Sequence, residues 1–171
     1  FSISYAQGSL GKSDPEAKSI LDKVSARFKT FKAVQASFVL KVEDSKGKLQ
    51  GTRKGMVYMK ADKYRVSITG QEIFCDGKNI WTYDQSSNEV TITQLDQSNG
   101  SITPQKLFTN FYDKDFLYKM NGQKMVGGKT LIEIELTPVD KTRNFFKVYL
   151  QVDKKSWTIY STRILDKSGN I

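Results

Sequence analysis

The stretch Ile73-Phe74-Cys75-Asp76-Gly77-Lys78-Asn79-Ile80-Trp81-Thr82-Tyr83 decides the fold of this chain, because its pattern predicts a β-hairpin. Asp76-Gly77 separates two apolar runs, and glycine tolerates the positive φ that a tight hairpin turn requires. Successive strand residues point to opposite faces, so Trp81 and Tyr83 share one face and Ile80 lies on the other. The aromatic face needs apolar neighbours. An ordinary core hairpin also accounts for this spacing.

The composition indicates one globular domain rich in β-structure. The chain has 171 residues, of which 38% are hydrophobic and 12% aromatic, and this length can bury a sizeable core. Valine, isoleucine, threonine and tyrosine recur in short runs, which favours strands. No apolar run approaches the roughly 18 residues that span a bilayer.

The net charge of +9 allows nucleic acid, anionic lipid or an acidic protein as a partner. The lysines are scattered, however, without a block of five basic residues or an aromatic RNA-binding signature. We therefore expect no nucleic acid partner.

The chain lacks histidine and has one cysteine, Cys75. This excludes a Ser-His-Asp triad, a Cys-His nucleophile pair, a histidine metal site and an internal disulfide. Glu133 and Glu135 alternate on a predicted strand and are most simply its solvent face. An enzyme is therefore the weaker class, and we expect no catalytic residue, metal or cofactor. Cys75 itself is expected to be a small buried core residue.

Residues 1–13 are expected to be the remnant of a signal peptide followed by a flexible lead-in. An apolar start is followed by small residues at Ser4 and Ala6, as at the end of a secretory signal. A disordered N-terminal tail is the alternative. Residues 14–171 are expected to form a single domain.

Asp14-Pro15-Glu16 predicts a helix start, with an N-cap acceptor, proline at the first position and an acid in the first turn. The helix should run from about Pro15 to Lys29. Its apolar residues recur at helical spacing and must pack on a sheet: Ala17, Ile20, Leu21, Val24, Phe28 and Phe31.

Beyond this helix the pattern changes to period two, which predicts an antiparallel meander interrupted by a short helix from Thr103-Pro104 through Phe111. Turns are predicted at Asn121-Gly122 and Gly127-Gly128, among others. The predicted strands are 36–42, 52–60, 63–69, 73–75, 79–83, 89–93, 116–121, 130–137, 145–152 and 158–165.

One long, curled antiparallel sheet follows from this order, and its concave face must be filled by side chains, helices or a ligand. Two short helices fill it poorly, which favours a hydrophobic guest, although a packed core is the alternative. The alternation assigns these residues to the concave face: Phe38, Leu40, Val57, Met59, Val66, Trp81, Ile132, Ile134, Val148 and Leu150.

The hairpin sequence from Asp76 to Tyr83 resembles the D-G-x-x-[LIV]-W-x-Y element of the LolA family, the periplasmic carriers of outer-membrane lipoproteins. The order and spacing of further segments extend the resemblance from Asp14 to Asn170. The similar segments are 31–38, 51–66, Thr103-Pro104 with Leu107-Phe108, Leu136-Thr137-Pro138, 147–153 and 166–170.

The resemblance implies an α+β, mainly β fold, in which a curled antiparallel sheet forms an incomplete, half-open β-barrel closed by a helical lid. The acyl chains of a lipoprotein would lie in the cavity, against the concave-face residues and Tyr83. The lid residues would be Ile20, Leu21, Val24, Phe28, Leu107 and Phe108.

The resemblance also implies acylated lipoproteins as cargo, an inner-membrane ABC lipoprotein-releasing transporter as donor and an outer-membrane acceptor. Such a carrier is a periplasmic monomer, secreted through an N-terminal signal peptide, and only transiently near a membrane. Each buried methylene of an acyl chain is worth roughly 0.8 kcal/mol, so the chain needs shielding from water. A binder or sensor of other lipids or acylated ligands on the same scaffold is the alternative.

The chain departs from the family pattern at two places. Many members have Lys-Arg-Pro after the second strand, where the arginine helps to hold the lid shut, but this chain has Lys60-Ala61-Asp62-Lys63. Lys60 lacks the planar fork of arginine donors and is a poor substitute. The chain also stops at Ile171, where the family continues into further strands. We therefore expect either a C-terminally incomplete domain or a more open barrel.

Overall fold

The structure is a computed structural model that describes residues 13–95 and 112–171. In these residues the chain forms two helices and ten strands, arranged in two antiparallel sheets. The helices are α1 (Pro15–Lys29) and α2 (Tyr112–Asp115). The first sheet contains β1 (Val34–Glu43), β2 (Leu49–Lys60), β3 (Lys63–Ile68), β4 (Gln71–Cys75), β5 (Asn79–Asp84) and β6 (Glu89–Gln94) in that order. The second sheet contains β7 (Phe116–Val126), β8 (Lys129–Pro138), β9 (Phe145–Asp153) and β10 (Thr158–Asp166), in chain order.

Helix α1 begins and ends where the sequence predicted, and its first residue is fixed by the Asp14 cap. One carboxylate oxygen of Asp14 accepts from the Glu16 N–H at 2.8 Å, and the other accepts from the Met120 N–H at 3.0 Å. The Asp14 N–H donates to the Tyr118 carbonyl at 2.9 Å. The backbone donors of Met120 and Glu16 lower the pKa of Asp14. The cap therefore also ties α1 to β7.

The main hydrophobic core lies between α1 and the second sheet. Ile20, Leu21 and Val24 are at most 6% exposed. They belong to one cluster with Tyr112 of α2 and the inward side chains of the second sheet: Phe116, Tyr118, Ile132, Ile134, Leu136, Val148, Leu150 and Val152. Further contacts hold the helix, since the Tyr112 hydroxyl donates to Asp22 at 2.8 Å and the Lys23 ammonium lies 4.5 Å from the centre of the Trp157 ring.

The first sheet has an inner face and an outer face, which its register defines. Directly opposed residues share a face, and the row Met59, Tyr64, Cys75 and Ile80 runs across β2 to β5. Phe28 at the end of α1 packs against this row, which we therefore call part of the inner face. The opposite side of the same strands is the outer face.

The predicted hairpin at Asp76-Gly77 is confirmed, with Cys75 opposite Ile80. Gly77 has a φ of +94°, and the Asp62 side chain from the turn between β2 and β3 lies against its α-carbon. One Asp76 carboxylate oxygen accepts from the Lys78 and Asn79 N–H groups at 2.8 and 2.7 Å. Glycine is required here both by the positive φ and by the close approach of Asp62.

The mainly β, incomplete-barrel fold is confirmed, but the strands form two sheets and not one long sheet. Among the described residues, Glu43 and Ile171 exchange two backbone hydrogen bonds, 2.9 and 2.8 Å long, between the first sheet and the end of the chain. The predicted turn at Asn121-Gly122 is wrong, because β7 continues to Val126 through a bulge at that point. Glycine at positive φ suits a bulge as well as a turn. The predicted helix at 103–111 lies outside the described residues.

Candidate ligand-binding surface

The inner face of the first sheet is closed at the end near α1. Met59, Tyr64 and Cys75 are only 5–8% exposed there, beneath Phe28. Burial raises the pKa of Tyr64 to about 12, with a further contribution from the neighbouring Cys75 thiol. This end is a small dry core without ionised groups in its buried row.

The other end of the inner face opens to solvent. Leu40 is 45% and Val42 37% exposed, while Phe38, Val57 and Val66 are half-buried. The register places Val57 directly between Ala36 and Val66 on this face. A mainly apolar surface, interrupted by Arg53 opposite Leu40, therefore leads from the dry core out to the β1–β2 hairpin, and its apolar part suits a flexible hydrocarbon ligand.

Gly55 shapes the middle of this surface. It lies opposite Phe38, and the position that a β-carbon would take at Gly55 is already filled by the Phe38 ring and the Ser67 carbonyl. The ring can lie flat across β2 only because the glycine has no side chain. Sequence analysis missed this residue, although a glycine inside an apolar strand is itself a signal of close approach.

The assignment of Trp81 and Tyr83 to the concave face is wrong. Ile80 pairs with Cys75, so Ile80 lies on the inner face and Trp81 must point to the outer face. Trp81 is opposite Phe74, and Tyr83 is opposite Glu72, both on that outer side. The inner-face residues of β4 and β5 include Ile73 and Ile80, which the sequence analysis did not select.

The remaining predicted cavity residues are divided between the two sheets. Phe38, Leu40, Val57, Met59 and Val66 lie together on the inner face of the first sheet. The other four are at most 4% exposed and pack in the α1 core, so the structure does not bring them to the same surface: Ile132, Ile134, Val148 and Leu150.

The predicted lid residues on α1 are divided in the same way. Ile20, Leu21 and Val24 belong to the core of the second sheet, and only Phe28 reaches the first sheet. Leu107 and Phe108 lie outside the described residues.

Comparisons with known proteins agree with this architecture. Residues 29–171 match the family described as outer membrane lipoprotein carrier protein LolA. The chain belongs to the LolA family. It is 30% identical over 136 residues to an outer-membrane lipoprotein carrier protein of Cupriavidus necator, covering 77% of this chain and 62% of that protein. The corresponding protein of Cupriavidus taiwanensis is 30% identical over 128 residues, covering 72% and 58%. The chain thus spans about three-fifths of the length of these curated relatives.

Solved structures show the same fold at low identity. An uncharacterized conserved protein from Thermus thermophilus superposes with a TM-score of 0.56 at 15% identity, covering 90% of this chain and 79% of that one. A putative outer membrane lipoprotein-sorting protein domain from Vibrio parahaemolyticus gives 0.51 at 14% identity, covering 90% and 73%. These likenesses concern the fold.

The described residues of this LolA-family chain contain no group of three potential metal ligands. Within the same ranges, no helix is both long and apolar enough to cross a membrane. At the turn where many LolA proteins have Lys-Arg-Pro, Asp62 contacts Gly77 while Lys60 and Lys63 face each other across the strands.

Proposed function

We propose that this protein is a periplasmic carrier that binds the acyl chains of lipoproteins on the inner face of its first sheet. One observation carries the proposal: in a member of a lipoprotein-carrier family, the open end of this face presents apolar side chains to solvent. The acyl-contact residues in this proposal are Phe38, Leu40, Val57, Met59 and Val66.

The position of this surface supports reversible binding. One end is sealed by Phe28 and the buried row beneath it, and the other end is open at Leu40. An acyl chain can enter from the open end without disturbing the core under α1. Each methylene that leaves water contributes roughly 0.8 kcal/mol, so several are needed for stable binding. Cargo would come from an inner-membrane ABC transporter and pass to an outer-membrane acceptor.

A dye-displacement experiment tests the proposal. An environment-sensitive apolar dye should bind the purified protein and be displaced by a synthetic diacylated lipopeptide, but not by the same peptide without acyl chains. Leu40→Asp should weaken lipopeptide binding by about tenfold or more, because a carboxylate at the open end, opposite Arg53, must be desolvated together with that charge beside the acyl chain.

Val39→Asp is the matched control, since Val39 is the adjacent residue, is 55% exposed and lies on the outer face. It should retain lipopeptide binding. Equal loss in both variants, or no displacement by the lipopeptide, would contradict the proposal. Displacement by a fatty acid but not by the lipopeptide would instead indicate a binder of other acylated ligands.

A further inference from the structure

The outer face of the first sheet exposes a row of aromatic and aliphatic side chains. Phe74 is 40%, Val90 56% and Ile92 63% exposed. The register places Trp81 directly between Phe74 and Ile92. Tyr58, itself 40% exposed, continues the same row two strands away. An apolar patch of this extent on an outer surface is characteristic of a docking site.

Basic side chains border this patch on the same face. Among the described residues that are paired in β1 to β6, leaving out Glu43 beyond the bulge in β1, the outer face carries five basic side chains. It carries one acidic side chain, Glu72. The five are Lys41, Lys54, Lys60, Lys63 and Arg65. Glu72 binds Arg65 at 3.0 Å, and the Arg65 guanidinium lies 5.4 Å from the centre of the Phe74 ring. The four lysines therefore dominate the charge of this face.

Lys60 and Lys63 are directly opposed at the end of the β2–β3 hairpin. Like charges in opposed positions destabilise a sheet, and a nearby anion reduces this repulsion, as the Asp76 carboxylate already does for Lys63. An open groove of about 460 Å³ lies beside the pair at this end of the sheet. Its lining includes Gln35, Tyr58 and Arg65 of the outer face and Val34, Met59 and Tyr64 of the inner face. Its size and charge suit the phosphate of a phospholipid headgroup.

We propose that the outer face of the first sheet docks on a membrane surface containing anionic phospholipid. Headgroup phosphates would lie at Lys60 and Lys63, and Trp81, Phe74 and Ile92 would enter the interfacial region. Six strands give the face a width of about 24 Å, which suits a planar partner. Tryptophan and tyrosine favour the membrane interface, and lysines are attracted to anionic lipid. The acyl-contact residues lie on the opposite face, although Met59 also lines the groove, so the inference does not rest on the proposed carrier function.

Vesicle flotation of the cargo-free protein tests this inference. The protein should float with vesicles that contain phosphatidylglycerol but not with vesicles of phosphatidylcholine alone, and added salt should release it. Each lysine near an anionic surface is worth about fivefold in partitioning, so the double variant Lys60→Gln/Lys63→Gln should bind roughly thirtyfold more weakly. Circular dichroism of this variant should match that of the parent, because the change removes a like-charge pair.

Lys154→Gln/Lys155→Gln is the control with the same change of net charge, located in the exposed β9–β10 turn. It should bind phosphatidylglycerol vesicles nearly as well as the parent. An equal loss in the two double variants would show attraction by net charge only and would overturn the proposal. Equal binding to both kinds of vesicle would also overturn it.

The fluorescence of Trp81 identifies the face that docks. In Trp157→Phe protein, Trp81 is the sole tryptophan, and its emission should shift to the blue when anionic vesicles are added. Unchanged emission from vesicle-bound protein would mean that another surface docks. Binding of polyglutamate, lost in Lys60→Gln/Lys63→Gln, without any binding to vesicles would overturn the membrane assignment in favour of an acidic protein partner.

Discussion

The segments Phe38-x-Leu40-x-Val42 on β1 and Val148-x-Leu150-x-Val152 on β9 have the same alternating apolar pattern but different surroundings. Val148, Leu150 and Val152 are at most 1% exposed, whereas Leu40 and Val42 are 45% and 37% exposed. The difference arises because α1 lies on the second sheet and reaches the first only through Phe28. Strand residues with the same apolar alternation are therefore buried in a core or exposed on a surface, depending on which sheet the helix covers.

The largest effect is expected from Ile134→Asp, because Ile134 is fully buried beneath α1. A carboxylate there must be protonated or remain an unpaired buried charge, which costs about 4 kcal/mol or more. That cost is comparable with the whole stability of a small domain, so circular dichroism should show an unfolded or strongly destabilised protein. Leu40→Asp should leave the unfolding midpoint nearly unchanged.

Ile134→Val serves as the control for that position and should cost only about 1 kcal/mol in urea unfolding. If Ile134→Asp were as stable as Leu40→Asp, the second sheet would have to contain a water-accessible cavity. The contrast between the buried face of the second sheet and the inner face of the first sheet would then be lost.

An intermediate effect is expected from Gly55→Val. The new side chain would displace the Phe38 ring from the middle of the open surface, at a cost of about 1–3 kcal/mol for overpacking. Lipopeptide affinity should also fall, since the ring and the new methyl groups obstruct the acyl-contact surface. Urea unfolding and dye displacement measure the two effects separately.

Gly51→Val provides a matched control on the same strand and face, because the β-carbon position of Gly51 has no atom within 4 Å. Replacing glycine in a strand should leave stability unchanged or raise it by about 0.5 kcal/mol. If both valine variants behaved alike, the arrangement of Phe38 over Gly55 would have no influence on binding.

The smallest effect, no change in the rate of acyl exchange, is expected from linking α1 covalently to the second sheet. A disulfide between a cysteine at Val24 and one on a facing strand, with Cys75→Ser to remove the native thiol, should leave the rate of acyl exchange unchanged. The reason is that Asp14, Tyr112 and Lys23 already hold the helix on the second sheet. The reduced form of the same protein is the control in a vesicle-transfer assay. Slower transfer after oxidation would show that α1 moves as a lid.

Local features of the fold could be predicted from the sequence because local chemistry determines them. Asp14-Pro15 fixes the start of α1, and Asp76-Gly77 fixes the central hairpin. The candidate surface could be predicted only in part, because the face of a residue depends on the register across every intervening turn. The pairs Met59–Tyr64, Tyr64–Cys75 and Cys75–Ile80 put Trp81 on the outer face, and alternation within one strand does not contain that information.

The placement of α1 was equally inaccessible to sequence analysis. Its apolar stripe of Ile20, Leu21 and Val24 could pack on either sheet. The sheet on which it packs is determined by contacts distant in sequence, such as that of Asp14 with Met120. Asn121-Gly122 illustrates the same limit on a smaller scale, because positive φ at glycine serves a hairpin turn and a bulge equally well.

The buried thiol of Cys75 is a native probe of local opening in the first sheet. It is 5% exposed, accepts a hydrogen bond from the Gly77 N–H at 3.4 Å and lies beneath Phe28. A thiol reagent reaches it when the small core of Met59, Tyr64 and Cys75 opens. The alkylation rate of the unmodified protein therefore counts openings of the first sheet and not of the second. Under the proposed carrier function, loading and release at the inner face should change this rate, and no label has to be introduced.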